Sequence, residues 1–494
     1  MKKVLIIGAG IAGLSAGVYA RRSGFDAEIL EMHTIPGGNS TSWRRGGYLF
    51  EGGMHWLTGS SSGSPLHRLW QETGALREDT EIYNRDPFFT CLEGSRSVCL
   101  YRDPDRLERH LRDIAPEDAK MIHSLCRDIK KFRKMAMPVM DIKGVEVKHK
   151  STPPLSLMFS MLSVLPRMNA LGKTSCGEYV AKFKNPTLRK LFGSMIGSND
   201  FTANSIHFTL GTLAAGDGGY PVGGSLAMAR NMASRFEELD GTIRYSTRAE
   251  KVILQDGRVT GVVAGGEFIP ADAVIVTADA LAAVDALFDP PLHEPWMDEM
   301  RRAVKPLLNT FLCFGVEADL SELPENLLFS PKKPLMFAGE SFPCLGINNY
   351  ASFAGYAPKG CTAVTSALMG DSYDYWKRAK EDGSYQSKKE RLASDMMDIL
   401  GEQFPQMRGR FAVWDVATPL TYERYCGTYK GSWMTVMEPG VPQASYPLKA
   451  EVSGLYFAGQ RMLAPGGLPV AVSTGRTAVQ YLCRDSKTVF EGEI

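Results

Sequence analysis

Gly8-Ala9-Gly10-Ile11-Ala12-Gly13 is a G-x-G-x-x-G turn, and a carboxylate, Glu31, stands about 20 residues beyond its start. Those residue types at that spacing suit the wrapping of a dinucleotide. Gly8 permits the tight turn, Gly10 lets the backbone approach a pyrophosphate, and Gly13 lets the following helix pack close to the strand before it. Ala12 opens that helix, whose free N–H groups face the phosphates, and Glu31 accepts hydrogen bonds from ribose hydroxyls. A glycine-rich turn in an ordinary strand-helix-strand unit would explain the glycines alone, but not their conjunction with the acid.

The elements that must position these residues are legible. Residues 2–7 are an apolar run fit for a buried parallel strand, residues 12–23 a helix, and residues 27–30 a second strand that delivers Glu31. Three further glycine pairs follow: Gly37-Gly38, before Asn39, then Gly46-Gly47, and Gly52-Gly53, before Met54, His55 and Trp56. With no Cβ, such pairs let a second loop lie against the same ligand. Near the C-terminus, residues 455–458 form a strand running into Gly459 and Gln460. Gly466-Gly467-Leu468-Pro469 then precedes a helix predicted over 470–483, and proline at a helix start suits a turn whose N–H groups point outward.

The pattern resembles the FAD enzymes of the glutathione-reductase-like, amine-oxidase-like superfamily, and within them the phytoene desaturase, carotenoid isomerase and retinol saturase branch. The residues that carry the resemblance are Glu31-Met32-His33-Thr34 with Gly37-Gly38, Phe50-Glu51-Gly52-Gly53-Met54-His55-Trp56, Tyr220-Pro221-Val222-Gly223-Gly224-Ser225, and Gly454-Leu455-Tyr456-Phe457-Ala458-Gly459. The resemblance implies an α/β fold: a Rossmann-like FAD-binding domain from residues 1–80, 214–285 and 441–494, and a discontinuous α+β substrate domain from 81–213 and 286–440. It implies FAD contacts at Gly8, Gly10, Ala12, Gly13, Glu31, Gly37, Gly38, Asn39, Gly53, Met54, His55, Gly459, Gln460, Gly467, Leu468 and Pro469. The start of the last helix then faces the flavin pyrimidine edge, where its dipole favours negative charge on reduced flavin. Two departures stand out: Gln460 where many relatives have an acid, and Asn39 where many have arginine. The second weakens an amine-oxidase assignment.

Flavin supplies the hard chemistry, so the protein need only hold a substrate carbon over the ring in a dry pocket. His55 is the catalytic candidate, as a proton shuttle or an orienting group; the alternative is a histidine satisfied by backbone in a buried loop. Trp56, Tyr422 and Tyr425 are candidates to wall a conjugated substrate, against plain packing. The expected activity is FAD-dependent desaturation, saturation or double-bond isomerisation at carbon–carbon bonds of a hydrophobic, conjugated or isoprenoid molecule. Amine oxidation is one alternative. Another is a non-catalytic lipid escort, like the Rab escort proteins and GDP-dissociation inhibitors, which share the fold without using flavin. The intact glycines of 455–470 argue against the escort.

Composition sets outer bounds. A chain of 494 residues, 44% hydrophobic and 22% charged, has room for two domains with large cores. With 56 basic against 55 acidic residues, nothing in the charge balance calls for nucleic acid. Nine scattered cysteines without a C-x-x-C suit reduced thiols and a cytoplasmic setting, and the eight histidines lack metal-ligand spacing. The first strand begins within two residues of the start, leaving no room for a signal peptide. No run reaches the roughly 20 apolar residues of a membrane span. Residues 120–173 are singular. Residues 120–150 hold nine Lys or Arg against three Asp or Glu, an excess of six positive charges, and run into the apolar stretch 154–165. Two readings stand: peripheral contact with anionic lipid on the inner face of a membrane, or a solvated basic face beside a helix that lines the substrate tunnel. Oligomeric state is not legible.

Overall fold

The computed structural model describes residues 1–94, 96–149 and 155–492, without the side chains of 155–160. Five strands, Thr242–Arg244, Asp26–Leu30, Lys3–Ile7, Ala273–Val276 and Leu455–Phe457, pair in that order, all parallel. The near-continuous apolar runs of Lys3–Ile7, Ala273–Val276 and Leu455–Phe457 are what a sheet covered on both faces requires. Val4 and Ile6 pack into one core with the helices Ile11–Arg22, Gly224–Glu238 and Leu468–Ser486. Leu5 and Ile7 point the other way, into a core shared with the antiparallel strands Ala249–Gln255, Arg258–Ala264 and Glu267–Pro270. Gly8, Glu31, Thr277 and the Ala458-Gly459 pair lie just beyond the C-terminal ends of four of the five strands, the edge at which parallel α/β sheets bind ligands.

A second, seven-stranded sheet runs Phe411–Ala417, Asn309–Val316, Thr362–Met369, Leu345–Asn349, Asn326–Phe329, Phe89–Glu93, Arg96–Leu100. It is antiparallel except where Asn326–Phe329 pairs with Phe89–Glu93. On one side Cys91 and Leu328 share a core with a helical lobe that includes Ala119–Phe132, Pro186–Ser194 and Asn204–Ala214. On the other, Leu312 and Phe314 pack against Tyr373–Glu381 and Tyr385–Gln403.

Element ends differ from the sequence expectations by one to three residues. The last helix, for instance, begins at Leu468 rather than at 470 and continues to Ser486. The apolar stretch 154–165 is only partly within the described residues. From it, the helix Leu155–Leu171 exposes Leu162 and Leu165. Among the described residues no helix is long and apolar enough to cross a membrane.

Candidate active site

One cavity of about 1630 Å³ runs from the C-terminal edge of the parallel sheet to the seven-stranded sheet and the helical lobe. A single-ligand pocket measures roughly 300–1,000 Å³, so there is room for a dinucleotide and a second molecule. Gly8, Gly10, Ala12, Glu31, Gly37, Gly38 and Asn39 line one end. Gly8 has φ +105°, a conformation that favours glycine. A Cβ on Gly10 would meet no protein atom closer than the Gly37 carbonyl oxygen, at 3.9 Å. Protein packing therefore does not require glycine there, whereas close approach of a phosphate does. Gly13 differs from the expectation: it is absent from the cavity wall, and a Cβ there would sit 1.9 Å from the Gly8 carbonyl oxygen. Its role is helix-to-strand packing, not ligand contact.

Glu31 is buried and already oriented, its carboxylate accepting from the Ala9 N–H at 2.6 Å and the His33 N–H at 2.8 Å. Burial pushes its carboxyl up from the ordinary range, against the pull of these donors. Asn39 lines the cavity and donates to the Ser432 carbonyl at 3.4 Å, while its Oδ1 is buried with no partner among the described residues.

The loop Gly52–Trp56 forms the next part of the wall, and an acid that sequence reasoning did not single out holds it in place. Glu51, 1% exposed, accepts from the Gly53 N–H (2.9 Å), the Met54 N–H (3.2 Å), the Ser225 N–H (2.8 Å) and the Tyr220 hydroxyl (3.0 Å). It thereby joins the loop to the first turn of Gly224–Glu238, and burial pushes its own carboxyl up. Gly53, Met54, His55 and Trp56 all line the cavity. His55 is half-buried, with no hydrogen bond among the described residues. Lost hydration and the nearby Arg85 charge lower its imidazole to about 4. At neutral pH it is an uncharged ring, a poor match for a proton shuttle.

The third block closes the cradle. Gly459, Gln460, Gly467, Leu468 and Pro469 line the cavity, and the helix Leu468–Ser486 points its free N-terminal N–H groups that way. Gln460, expected among the FAD contacts, also accepts from the Gly467 N–H at 3.2 Å and so braces the loop. Next to it lies a pair that no motif announced. Arg461 is buried and bonds Asp279 through Nη2 at 2.6 Å and Nε at 3.1 Å, and it donates to Thr435 Oγ1 at 2.6 Å and Ser432 Oγ at 2.5 Å. Asp279 also accepts from the Tyr429 N–H. The pair clamps the segment Tyr429–Thr435, which reaches the cavity with Trp433 and Met434, to the ends of two sheet strands. An arginine after Ala-Gly-Gln with an aspartate after the fourth strand was the available signal, visible only once the strands are known to be neighbours.

Beyond the cradle the walls turn apolar: Phe89, Phe132, Ile196, Phe311, Ala367 and Met369 face the space. Tyr422 joins them, and although a core residue it borders the cavity beside Asn309. Tyr425 does not reach this chamber. It is 42% exposed, with its ring edge-on to His33 at 5.1 Å and Arg424 over its face, at the Glu31 end of the cavity. One helical turn separates it from Tyr422, enough to place the two at different ends.

A dinucleotide cradle that opens without a break into an apolar chamber narrows the choice of family, and comparison decides it. Residues 11–483 match the family described as flavin containing amine oxidoreductase. The chain belongs to that family. Phytoene desaturase (lycopene-forming) of Pseudescherichia vulneris is 24% identical over 98% of this chain and 100% of its own length. All-trans-retinol 13,14-reductase of Danio rerio is 21% identical over 94% of this chain and 83% of its own. An oxidoreductase of Methanosarcina mazei superposes with a TM-score of 0.61 at 15% identity, covering 97% of this chain and 100% of that one; this supports the fold. The protein is thus a flavin-dependent oxidoreductase of mixed α/β fold, and a Rossmann-like sheet carries the glycine turn.

Proposed function

We propose that the protein binds FAD and transfers hydride or electrons at a carbon–carbon bond of a hydrophobic, conjugated or isoprenoid substrate. The observation that carries this reading is the continuity of the cavity, from backbone-lined cradle to apolar chamber. Gly8, Gly10, Gly37 and Gly38 would take the pyrophosphate side, and Glu31 the ribose. The loop ending in His55 and the segment Gly467–Pro469 would flank the flavin ring. When bound, the flavin supplies the redox chemistry. The chain's own residues exclude water, orient the substrate and hold the loop through Glu51. The desaturase and retinol reductase relatives support a carbon–carbon bond and an oily substrate. On this reading residues 1–80, 214–285 and 441–494 form the FAD domain, and 81–213 with 286–440 the substrate domain. The visible spectrum of the purified protein, with and without added FAD, tests the cofactor, and a colourless protein that cannot be loaded points to the escort. Anaerobic bleaching by a polyene tests the reaction; bleaching by an amine alone replaces it with amine oxidation.

We further propose peripheral contact with anionic lipid through the exposed Leu162 and Leu165 and the basic stretch before them. Part of that basic charge is paired, Lys130 with Asp105 and Lys148 with Glu491, so the attraction is weak. Co-sedimentation with anionic vesicles that is reversed by salt is the expected result, and equal absence from anionic and neutral vesicles ends the reading.

A further inference from the structure

The Glu51 carboxyl lies just behind the cavity wall, and each of its hydrogen bonds is one it accepts. Oε1 takes the Gly53 and Met54 N–H groups, and Oε2 the Ser225 N–H and the Tyr220 hydroxyl; the Tyr356 hydroxyl stands 2.5 Å behind that of Tyr220. Three of the four donors are backbone groups, whose direction the chain fixes. The helix Gly224–Glu238 is shaped to receive the carboxyl at its start: Gly224 has φ +74°, and a Cβ there would sit 2.1 Å from Oε2. A carboxylate in that place meets the positive end of the helix dipole, and one that accepts several backbone N–H bonds is stabilised in its charged form. Burial works the other way. Among the described residues no Lys, Arg or His forms an ion pair with Glu51, so it lacks the counter-charge that Arg461 gives Asp279.

Gly53 and Met54 line the cavity. One hydrogen bond and one van der Waals contact, roughly 7 Å together, therefore separate the carboxyl from a ligand lying on that loop. Solvent ions screen a buried charge little at this distance. Reduction adds electrons to a flavin ring, and a fixed negative charge beside the ring disfavours the reduced form.

We propose, with the loop Gly52–Trp56 read as the flank of the flavin, that Glu51 is an ionised, potential-setting residue. Its charge makes the bound flavin harder to reduce and, once reduced, a stronger donor of electrons. The N-terminus of Leu468–Ser486, which also borders the cavity, acts in the opposite sense by favouring negative charge. The potential is then a balance between a helix dipole and one carboxylate, and the carboxylate is the part a single substitution can remove.

The test is a redox titration of the FAD-loaded protein against a reference dye, read by flavin absorbance, for the wild type, Glu51→Gln and Glu51→Asp. Removing the charge in Glu51→Gln should raise the midpoint. The expected size is about tenfold in the ratio of reduced to oxidised flavin at a fixed potential, which is about 30 mV for a two-electron couple. Glu51→Asp keeps the charge and shortens the reach, so its midpoint should stay closer to the wild type than to Glu51→Gln, even where melting shows a loosened loop. Equal shifts in the two variants would come from loop geometry and overturn the proposal. No shift in Glu51→Gln overturns it too, as when the wild-type carboxyl is already neutral. Where a variant holds flavin weakly, linkage gives the same quantity as the ratio of its dissociation constants for oxidised and reduced FAD. That ratio should rise about tenfold in Glu51→Gln, and a glutamine variant that binds neither form makes Glu51 a structural residue only. A wild-type protein that binds no FAD refutes the flavin reading itself. One that binds FAD with a potential indifferent to Glu51 leaves that reading standing and removes this inference alone.

Discussion

The two ends of the cavity are built from different parts of the chain's chemistry. The cradle is made of backbone: glycines at Gly8, Gly10, Gly37 and Gly38, the start of a helix, and two N–H groups that aim the Glu31 carboxylate. The chamber is made of side chains, such as Phe89, Phe311 and Met369 on the seven-stranded sheet and Thr202 and Asn204 on the helical lobe. A cofactor used unchanged by many enzymes can be held by backbone, which varies little. A substrate has to be recognised by what varies.

The sharpest way to break the contrast is a paired substitution inside one motif. Gly10→Val places its Cβ 3.9 Å from the nearest non-neighbouring atom, the Gly37 carbonyl oxygen, so the protein should fold with near-native melting and retain no flavin. Gly13→Val puts Cβ against a backbone oxygen at 1.9 Å and should cost the fold itself. Thermal melting alongside flavin absorbance separates the two, and flavin retained by a folded Gly10→Val protein would remove Gly10 from the pyrophosphate site.

The joint between the regions should respond next. Arg461→Met leaves Asp279 buried without its partner, an arrangement that costs about 3–5 kcal/mol, and should loosen the segment Tyr429–Thr435. The expected result is a large drop in denaturation midpoint together with faster proteolysis in that segment. Removing both partners, Arg461→Met with Asp279→Asn, should recover part of the loss. An unchanged midpoint in the single variant would show that the pair holds nothing.

The same contrast explains what was legible. The glycine turn, Glu31 and the strands Lys3–Ile7, Asp26–Leu30 and Leu455–Phe457 are local signals: an apolar run beside a turn residue declares itself within ten positions. Glu51 stood inside a recognised motif, but its four donors come from residues 53, 54, 220 and 225, and no local pattern couples those segments. Arg461 and Asp279 are 182 positions apart. Tyr422 and Tyr425, three apart, seemed a single wall in sequence, yet the one-turn offset along the helix leaves Tyr422 buried at the chamber and Tyr425 half-exposed beside His33 at the Glu31 end.

Acid stability tests the burial of the chamber side. His55 and His207 are each lowered to about 4, in both cases chiefly by burial. In the unfolded chain a histidine titrates near 6.5. Between these values the unfolded state binds a proton that the folded state refuses, so stability is full above about 6.5 and falls as pH drops toward 4, on the order of 3 kcal/mol for each ring. His55→Gln should remove one share and leave that of His207. Midpoints of wild type and variant should then differ by a constant above pH 6.5 and converge or cross below it. Parallel curves down to pH 4 would mean that His55 is hydrated and titrates normally.

The smallest expected effect bears on what His55 does. A residue that moves a proton contributes roughly 10²–10⁴-fold and works best with a pKa near the working pH. His55, lowered to about 4 and uncharged at neutral pH, is better placed to orient substrate through a single hydrogen bond. His55→Ala should then leave the flavin spectrum near normal and slow flavin reduction by substrate only about tenfold, the kinetic equivalent of one hydrogen bond. His55→Gln, which keeps a donor and an acceptor but cannot titrate, should restore most of that rate and leave the pH profile of reduction unchanged. If glutamine fails as badly as alanine, with a loss of 10²-fold or more, the imidazole is moving a proton despite its burial. If the alanine variant loses flavin with no selective kinetic defect, His55 belongs to the cradle and not to the chamber.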